Sequence, residues 1–324
     1  MIKLEDVKKA MQKISKWSHK TPLFTSQTLN ELSNNFVYLK AENLQKSGSF
    51  KFRGAMNFLL SMTEEERSRG VVTGSSGNHG QALACAGKLL GVDVTVVVPE
   101  DVSNAKLSAM LGYGAKIERC GKTSKERLKR AKEISDSFGK VFVPPFDHPW
   151  IMAGQGTIGL ELVEDLAQFD AVLVPCGGCG LISGISVAVK EQLPTVKVYG
   201  VEPEQSNSTY LSFKAGHLVE LHKIETIADG LRTTSPGQLT FPVVQKYVED
   251  ILLVSEEDIK KAVIFLLERM KLLVEPSGAV TVAALLANKL PVKGKKIVAV
   301  LSGGNVDLLA LASWIKEIKE KESE

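Results

Sequence analysis

Lys51 follows Gly48 and Ser49 and opens into Ala55-Met56-Asn57-Phe58-Leu59-Leu60, a helix-friendly run whose apolar positions suit a buried face. Ser49 reads as the N-cap of that helix. An amine placed there feels the positive end of the helix dipole and, once buried, loses water around its ammonium. Both effects lower its pKa and favour the neutral nucleophile that condensation with a carbonyl requires. The opposing reading is a solvated charge on a first helical turn.

Three glycine segments carry groups that would complete such a site. In Gly74-Ser75-Ser76-Gly77-Asn78-His79-Gly80, backbone N–H groups, two hydroxyls, an amide and an imidazole make a cradle for a carboxylate or phosphate. The alternative there is a tight turn with a satisfied loop histidine. In Cys176-Gly177-Gly178-Cys179-Gly180-Leu181, bare amides at a helix start form a phosphate site. Two other readings stay open for this segment. Cys176 and Cys179 form a C-x-x-C, a redox pair or half a zinc site, although no second C-x-x-C exists and Cys85 and Cys120 stand alone. Gly178 and Gly180, with Glu202 ending the next strand, approach a dinucleotide fingerprint whose third glycine, Gly184, comes one residue late. In Ser302-Gly303-Gly304-Asn305 the serine can donate to a heterocyclic nitrogen or cap the last helix.

The elements that must position these groups alternate. A helix over about Leu4–Trp17 is followed by a turn at Thr21-Pro22-Leu23 and a strand over Asn35–Ala41. From Gly70 the rhythm is strand, helix, strand: Val71–Thr73, Gln81–Leu90, Val94–Val98, Ser103–Leu111 with a serine cap, Ala115–Ile117, Ser124–Phe138 and Val141–Val143. A second unit follows, with helix Ile158–Leu166, strand Ala171–Val174, helix Leu181–Gln192 and strand Val196–Val201. It continues with strand Ile251–Val254, helices Glu256–Met270 and Ser277–Asn288, and strand Ile297–Leu301. The segment from Gln205 to Gln238 is polar and reads as loops. This pattern predicts an α/β chain of two doubly wound domains, a small domain at 70–145 inserted in a large one at 1–69 and 146–324. All three glycine segments then fall at the carboxyl ends of strands, where open α/β sheets bind ligands.

Composition narrows the function classes. In 324 residues, 44% hydrophobic and 24% charged content is that of an ordinary globular protein, and a net charge of +3 argues against nucleic-acid or anionic-membrane partners. No apolar run is long enough to span a membrane, and no signal-peptide core opens the chain. Four cysteines do not make a disulfide scaffold, which points to a reducing, cytoplasmic setting. The charged tail Lys316–Glu324 is expected to fray.

Together the segments resemble the fold-type II pyridoxal-phosphate enzymes (tryptophan synthase β-like), and within them the threonine/serine dehydratase and serine racemase branch. The matching stretches are Ser49–Ala55, Ser75–Gly80, Ala153–Thr157, Cys176–Leu181, Ala228–Gly230, Glu275–Ala279 and Ser302–Asn305, in the family's order. The resemblance implies pyridoxal 5'-phosphate held covalently by Lys51, with Phe50 beside the ring and Asn78 on the ring hydroxyl oxygen. The backbone of Gly177, Gly178, Cys179, Gly180 and Leu181 would take the phosphate, and Ser302 would face the pyridine nitrogen. Ser75, Ser76, Gly77, Asn78 and His79 would hold the substrate carboxylate. Cys179 replaces a usual glycine, which suits the loop if its φ is negative.

The implied activity is β-elimination of water from L-threonine or L-serine, giving a 2-oxo acid and ammonia. The near alternative is serine racemase, because Ser76 stands where a racemase carries its second acid/base. A dinucleotide-dependent oxidoreductase and a non-catalytic ligand-binding module are the remote alternatives. Glu202 matches the acidic ligand of a Mg2+ site, but Ser208 stands where an aspartate is expected. A homodimer is implied, and isoleucine feedback is not, since little chain follows Asn305.

Overall fold

The computed structural model describes residues 1–102 and 104–323. Its elements run, in order, as α1 (Leu4–Ile14), β1 (Leu23–Thr25), α2 (Gln27–Ser33), β2 (Phe36–Ala41), α3 (Lys51–Ser61), α4 (Glu64–Arg69), β3 (Val71–Gly74), α5 (Asn78–Leu90), β4 (Val94–Val98), α6 (Asn104–Gly112), β5 (Lys116–Arg119), α7 (Ser124–Phe138) and β6 (Val141–Phe142). The second half adds α8 (Pro149–Asp165), β7 (Ala171–Pro175), α9 (Gly180–Lys190), β8 (Lys197–Pro203), α10 (Ser208–Ala215), α11 (Phe241–Tyr247), β9 (Asp250–Val254), α12 (Glu256–Phe265), α13 (Pro276–Leu286), β10 (Lys296–Leu301) and α14 (Leu308–Ser323).

The strands form two sheets. The larger has the order β1-β2-β10-β7-β8-β9, the smaller β5-β4-β3-β6. All pairs are parallel except β1 on β2. Strand periodicity divides the apolar residues of the larger sheet between two cores. Leu39, Leu173, Val201, Ala299 and Leu301 pack with α12 and α13 on one face. Val172, Val174, Val198, Val298 and Val300 pack with α8 and α9 on the other. The small sheet repeats the device, with Val71, Val94, Val96 and Val98 facing α3 and α5, and Val72 and Val97 facing α7.

The helix that begins at Lys51 lies between these bodies. Phe52, Ala55, Met56 and Leu59 join the core of the small sheet, while Gly54 meets α8, where a Cβ on Gly154 would lie 2.7 Å from Gly54 Cα. The two helices touch backbone to backbone, and only glycines allow this.

Some expectations need correction. Helix α8 starts at Pro149, nine residues before Ile158, because His148 caps it by accepting from Trp150 N at 3.1 Å and its glycines serve close packing. β1 begins at Leu23, the last residue of the expected turn, α2 lies in a stretch where no element is expected, and α10 interrupts the expected loop region. The tail is helical through Ser323, steadied by Lys316–Glu320 and Lys321–Glu317 pairs and by Ile318, which is buried. The cap expected at Ser103 and the end of the tail at Glu324 lie outside the described residues. Among the described residues no helix is long and apolar enough to cross a membrane.

Candidate active site

Lys51 is the first residue of α3. Phe50 occupies the cap position with no side-chain bond, and Ser49 does not cap: its Oγ is buried without a hydrogen-bond partner among the described residues. Ser49 is extended and stands one residue before the cap position. The turn is held instead by the third glycine segment. Phe50 N donates to Ser302 O at 3.0 Å, Gly304 N donates to Gly48 O at 2.9 Å, and Ser49 bridges Gly303. The Lys51 amine donates to Pro145 O at 2.7 Å and sits 5.2 Å from the centre of the Phe50 ring. Burial lowers its pKa to about 8, against the opposing pull of the Glu275 carboxylate.

The first glycine loop carries β3 into α5. Ser75, Ser76, Gly77 and Asn78 are half-buried, and a Cβ on Gly77 would meet nothing within 4 Å, so the loop borders open space. Asn78 Nδ2 donates to Glu275 Oε1 at 2.6 Å, and Asn78 Oδ1 accepts from Asn305 Nδ2 at 2.8 Å. The His79 ring turns away, with Nε2 3.3 Å from Val143 O. Burial and the nearby Lys51 push its pKa down to about 3, so it is neutral and Nε2 carries the proton given to that carbonyl.

In the second loop, residues 176–181 are buried. The amides of residues 177–182 find no backbone acceptor among the described residues, which leaves an anion cradle at the start of α9. Thr209 Oγ1 and Thr240 Oγ1 donate to Gly177 O and Gly178 O at 3.2 and 2.9 Å and fix the loop from behind. The Phe146 ring occupies the space a Cβ on Gly178 would need. Cys179 has φ +65°, the left-handed region, and not the negative φ that would suit a side chain there. Its Sγ lies 3.2 Å from both Gly177 O and Thr209 Oγ1, contacts that accompany the strained backbone.

The rival readings of this loop find little support in its surroundings. Burial raises the Cys176 thiol well above its usual range, which disfavours the thiolate that redox or zinc chemistry needs. No group of three or more His, Cys, Asp or Glu converges among the described residues. Glu202 is fully buried, and its two oxygens accept from Thr209 N at 3.1 Å and Tyr210 N at 2.8 Å, so they cap α10 and do not face a ribose. Ser208 Oγ donates to Thr233 O at 3.2 Å, away from Glu202.

Ser302 is buried with Oγ 3.5 Å from Ser277 O. It does not cap the last helix, a role taken by Asp307, whose Oδ1 accepts from Leu309 N and Ala310 N.

The structure thus holds groups of the kinds that a covalently held aromatic phosphate would need: an amine of lowered pKa, orphan buried amides for an anion, an oriented carboxamide and a buried hydroxyl. A family model described as "Pyridoxal-phosphate dependent enzyme" matches residues 14–303. The chain belongs to this family. Relatives of this pyridoxal-phosphate enzyme include the L-threonine ammonia-lyase of Thermotoga maritima, 46% identical over 95% of this chain and 77% of the relative. The serine racemase of Dictyostelium discoideum is 45% identical over 96% of this chain and 97% of its own. The solved structure of maize serine racemase superposes with a TM-score of 0.93 at 34% identity, covering 99% of both chains.

Sequence reasoning gave no role to Glu275, Asn305, Pro145 or Phe146. Glu275 precedes Pro276 at a helix start, and that dipeptide was the available signal. Arg53, inside the Ser49–Ala55 stretch, has no role legible there either, yet it is fully buried and bonded to both Glu42 and Glu161.

Proposed function

We propose that this pyridoxal-phosphate enzyme is an ammonia-lyase for L-threonine and L-serine, releasing a 2-oxo acid and ammonia. The Lys51 amine carries the reading: it is first in its helix, its pKa is lowered to about 8, its turn is bonded to the third glycine segment, and His79 of the first lies near enough to feel its charge. Lys51 and Phe50 would hold the cofactor, with Asn78 at its ring oxygen, Ser302 at its ring nitrogen and the 177–181 amides at its phosphate. When bound, the cofactor supplies an electron sink for the electrons of the Cα–H bond.

The chain's own groups do the rest. Lys51, neutral above about pH 8, accepts the Cα proton. Ser302 brings a hydroxyl and no charge, so it does not enforce a protonated ring nitrogen, and prompt loss of a β-hydroxyl is favoured over a long-lived carbanion. Ser75, Ser76, Gly77 and the amides entering α5 take the substrate carboxylate, with His79 contributing through its backbone while its ring is engaged at Val143.

Ser76 favours a second reading, serine racemase, in which its hydroxyl returns a proton to the opposite face of Cα. Incubation with L-serine while both D-serine and pyruvate are measured tests the choice. Pyruvate outpacing D-serine is expected; D-serine formed faster overturns the lyase assignment, and Ser76→Ala then shows whether that hydroxyl is the cause. A Mg2+ ion at Glu202 would have to rely on carbonyls and water around one carboxylate, and a rise in Tm on adding Mg2+ tests it. A reducing, cytoplasmic compartment, supported by four unpaired cysteines, and the homodimeric assembly that the resemblance implies complete the proposal.

A further inference from the structure

Glu275 lies at the cap of α13 and is 2% exposed. Its backbone N donates to Gly303 O at 3.0 Å, and its Oε1 crowds the place of a Cβ on Gly303, so helix and loop are locked face to face. From Oε1 a chain of polar contacts runs outward. Asn78 Nδ2 donates to Glu275, Asn305 Nδ2 donates to Asn78 Oδ1, and Asn305 Nδ2 also donates to Ser47 O at 2.8 Å.

The two ends of this chain decide its direction. A carboxylate and a backbone carbonyl accept hydrogen bonds and donate none. Turning over both amides would set oxygen against oxygen at Glu275 and at Ser47, so neither orientation is arbitrary. Asn78 therefore keeps its amide nitrogen on the Glu275 side, with its second N–H left for a ligand oxygen. The same carboxylate faces Lys51 and opposes the effect of burial on the amine. The other titratable group against Lys51 is His79 on α5, which is neutral.

We propose that Glu275 is a positioning residue for this site, fixing Asn78 as a donor toward the cofactor's ring oxygen and supplying the negative charge that faces Lys51. This rests on Lys51 as the cofactor anchor and deepens that reading. The donor polarity suits an ionised ring oxygen, which accepts and does not donate.

The test uses Glu275→Gln in full-length protein stripped of cofactor, with the pH dependence of Lys51 acetylation followed by peptide mass spectrometry. Glutamine removes the charge and, having both donor and acceptor, lets the Asn78 amide turn over. With burial unopposed, the neutral fraction of Lys51 at pH 7, about one-tenth at a pKa of about 8, rises severalfold and its labelling rate rises with it. Glu275→Asp keeps the charge but shortens the reach: labelling stays within about twofold of wild type, while cofactor affinity falls at least about tenfold because Asn78 is released. Unchanged or slower Lys51 labelling in a folded Glu275→Gln protein overturns the proposal. So does a Glu275→Asp protein with wild-type cofactor affinity, which keeps the idea open to refutation if the glutamine variant does not fold. Borohydride reduction and peptide mapping of the loaded enzyme separately test the anchor. An adduct on another lysine would sink the Lys51 reading, whereas the labelling of stripped protein reports on Glu275 alone.

Discussion

The Lys51 amine donates to the carbonyl of Pro145 at 2.7 Å, tying the start of a helix that follows the large sheet's β2 to the segment that leaves the small sheet. The next residues extend this link, because the Phe146 ring lies on Gly178 of the phosphate cradle and the Asp147 carboxylate accepts from the amides of Gln238, Leu239 and Thr240. One short segment thus touches the amine, the anion site and the loop behind it.

Cofactor capture should follow the ionisation of Lys51. Because burial lowers its pKa to about 8, the neutral amine is the minor form at pH 7 and dominates above pH 8. The rate at which stripped protein takes up pyridoxal phosphate is expected to climb with pH and level off above about 8. Lys51→Ala should lose at least about 1,000-fold in lyase turnover and show no covalent cofactor adduct. A flat pH profile would break the argument.

Arg53 should be worth far more than a surface charge. Its Nε and Nη2 donate to Glu42 at 2.8 and 2.7 Å, and Nη1 and Nη2 donate to Glu161 at 2.6 and 2.9 Å. Lys40 joins through Glu161 at 2.6 Å, so two cations and two anions balance in the interior. Arg53→Met strands Glu42 and should cost about 3–5 kcal/mol in urea denaturation, with Arg53→Lys recovering only part because it lacks the bidentate fork. Burial pushes the Glu42 carboxyl up, but Arg53, Thr21 and Lys40 outweigh it and hold the pKa below its ordinary value. Its contribution to stability is therefore present above the ordinary carboxylate range and is lost as pH falls through the lowered pKa. A wild-type and Arg53→Met pair that loses the same stability on acidification would contradict this.

These cases mark what could be read from the sequence. Strands β4, β7 and β10 are apolar runs bounded by glycine, proline or polar turns, and their spacing declared parallel sheets; the ligand-bearing strand ends followed from that order. Arg53, Glu42, Lys40 and Glu161 are separated by up to 121 positions, and a charge in a sequence looks solvated until the fold brings its partners together. The Ser49 cap failed because the helix takes Phe50 as its cap while Ser49 bridges Gly303, a contact across the fold that composition does not encode. α10 was hidden because the group that caps it, Glu202, lies on a strand seven residues upstream of Thr209.

Cys179 should be a small stability defect. A non-glycine residue at φ +65° costs about 1 kcal/mol, so in a chain of this size Cys179→Gly is expected to raise Tm by about 1–2 °C. Cys179→Val should lower Tm, since a β-branched residue tolerates that backbone poorly and loses the polar contact with Thr209. Equal melting of the three proteins would mean that contacts made by the thiol offset the strain.

Glu202 should make the protein less stable as pH rises. Burial raises its pKa to about 8, against the amide bonds from Thr209 and Tyr210 that lower it. The folded chain then keeps a proton that the unfolded chain has already released between its ordinary 4.5 and about 8, and stability falls with pH across that window. Glu202→Gln keeps an acceptor for one of the two amides and carries no charge at any pH. Its Tm relative to wild type is expected to climb steadily from about pH 5 to about pH 8 and then flatten. Parallel melting curves over that range would show that the acid is ionised inside the fold, and would reopen Glu202 as an anionic ligand for a cation.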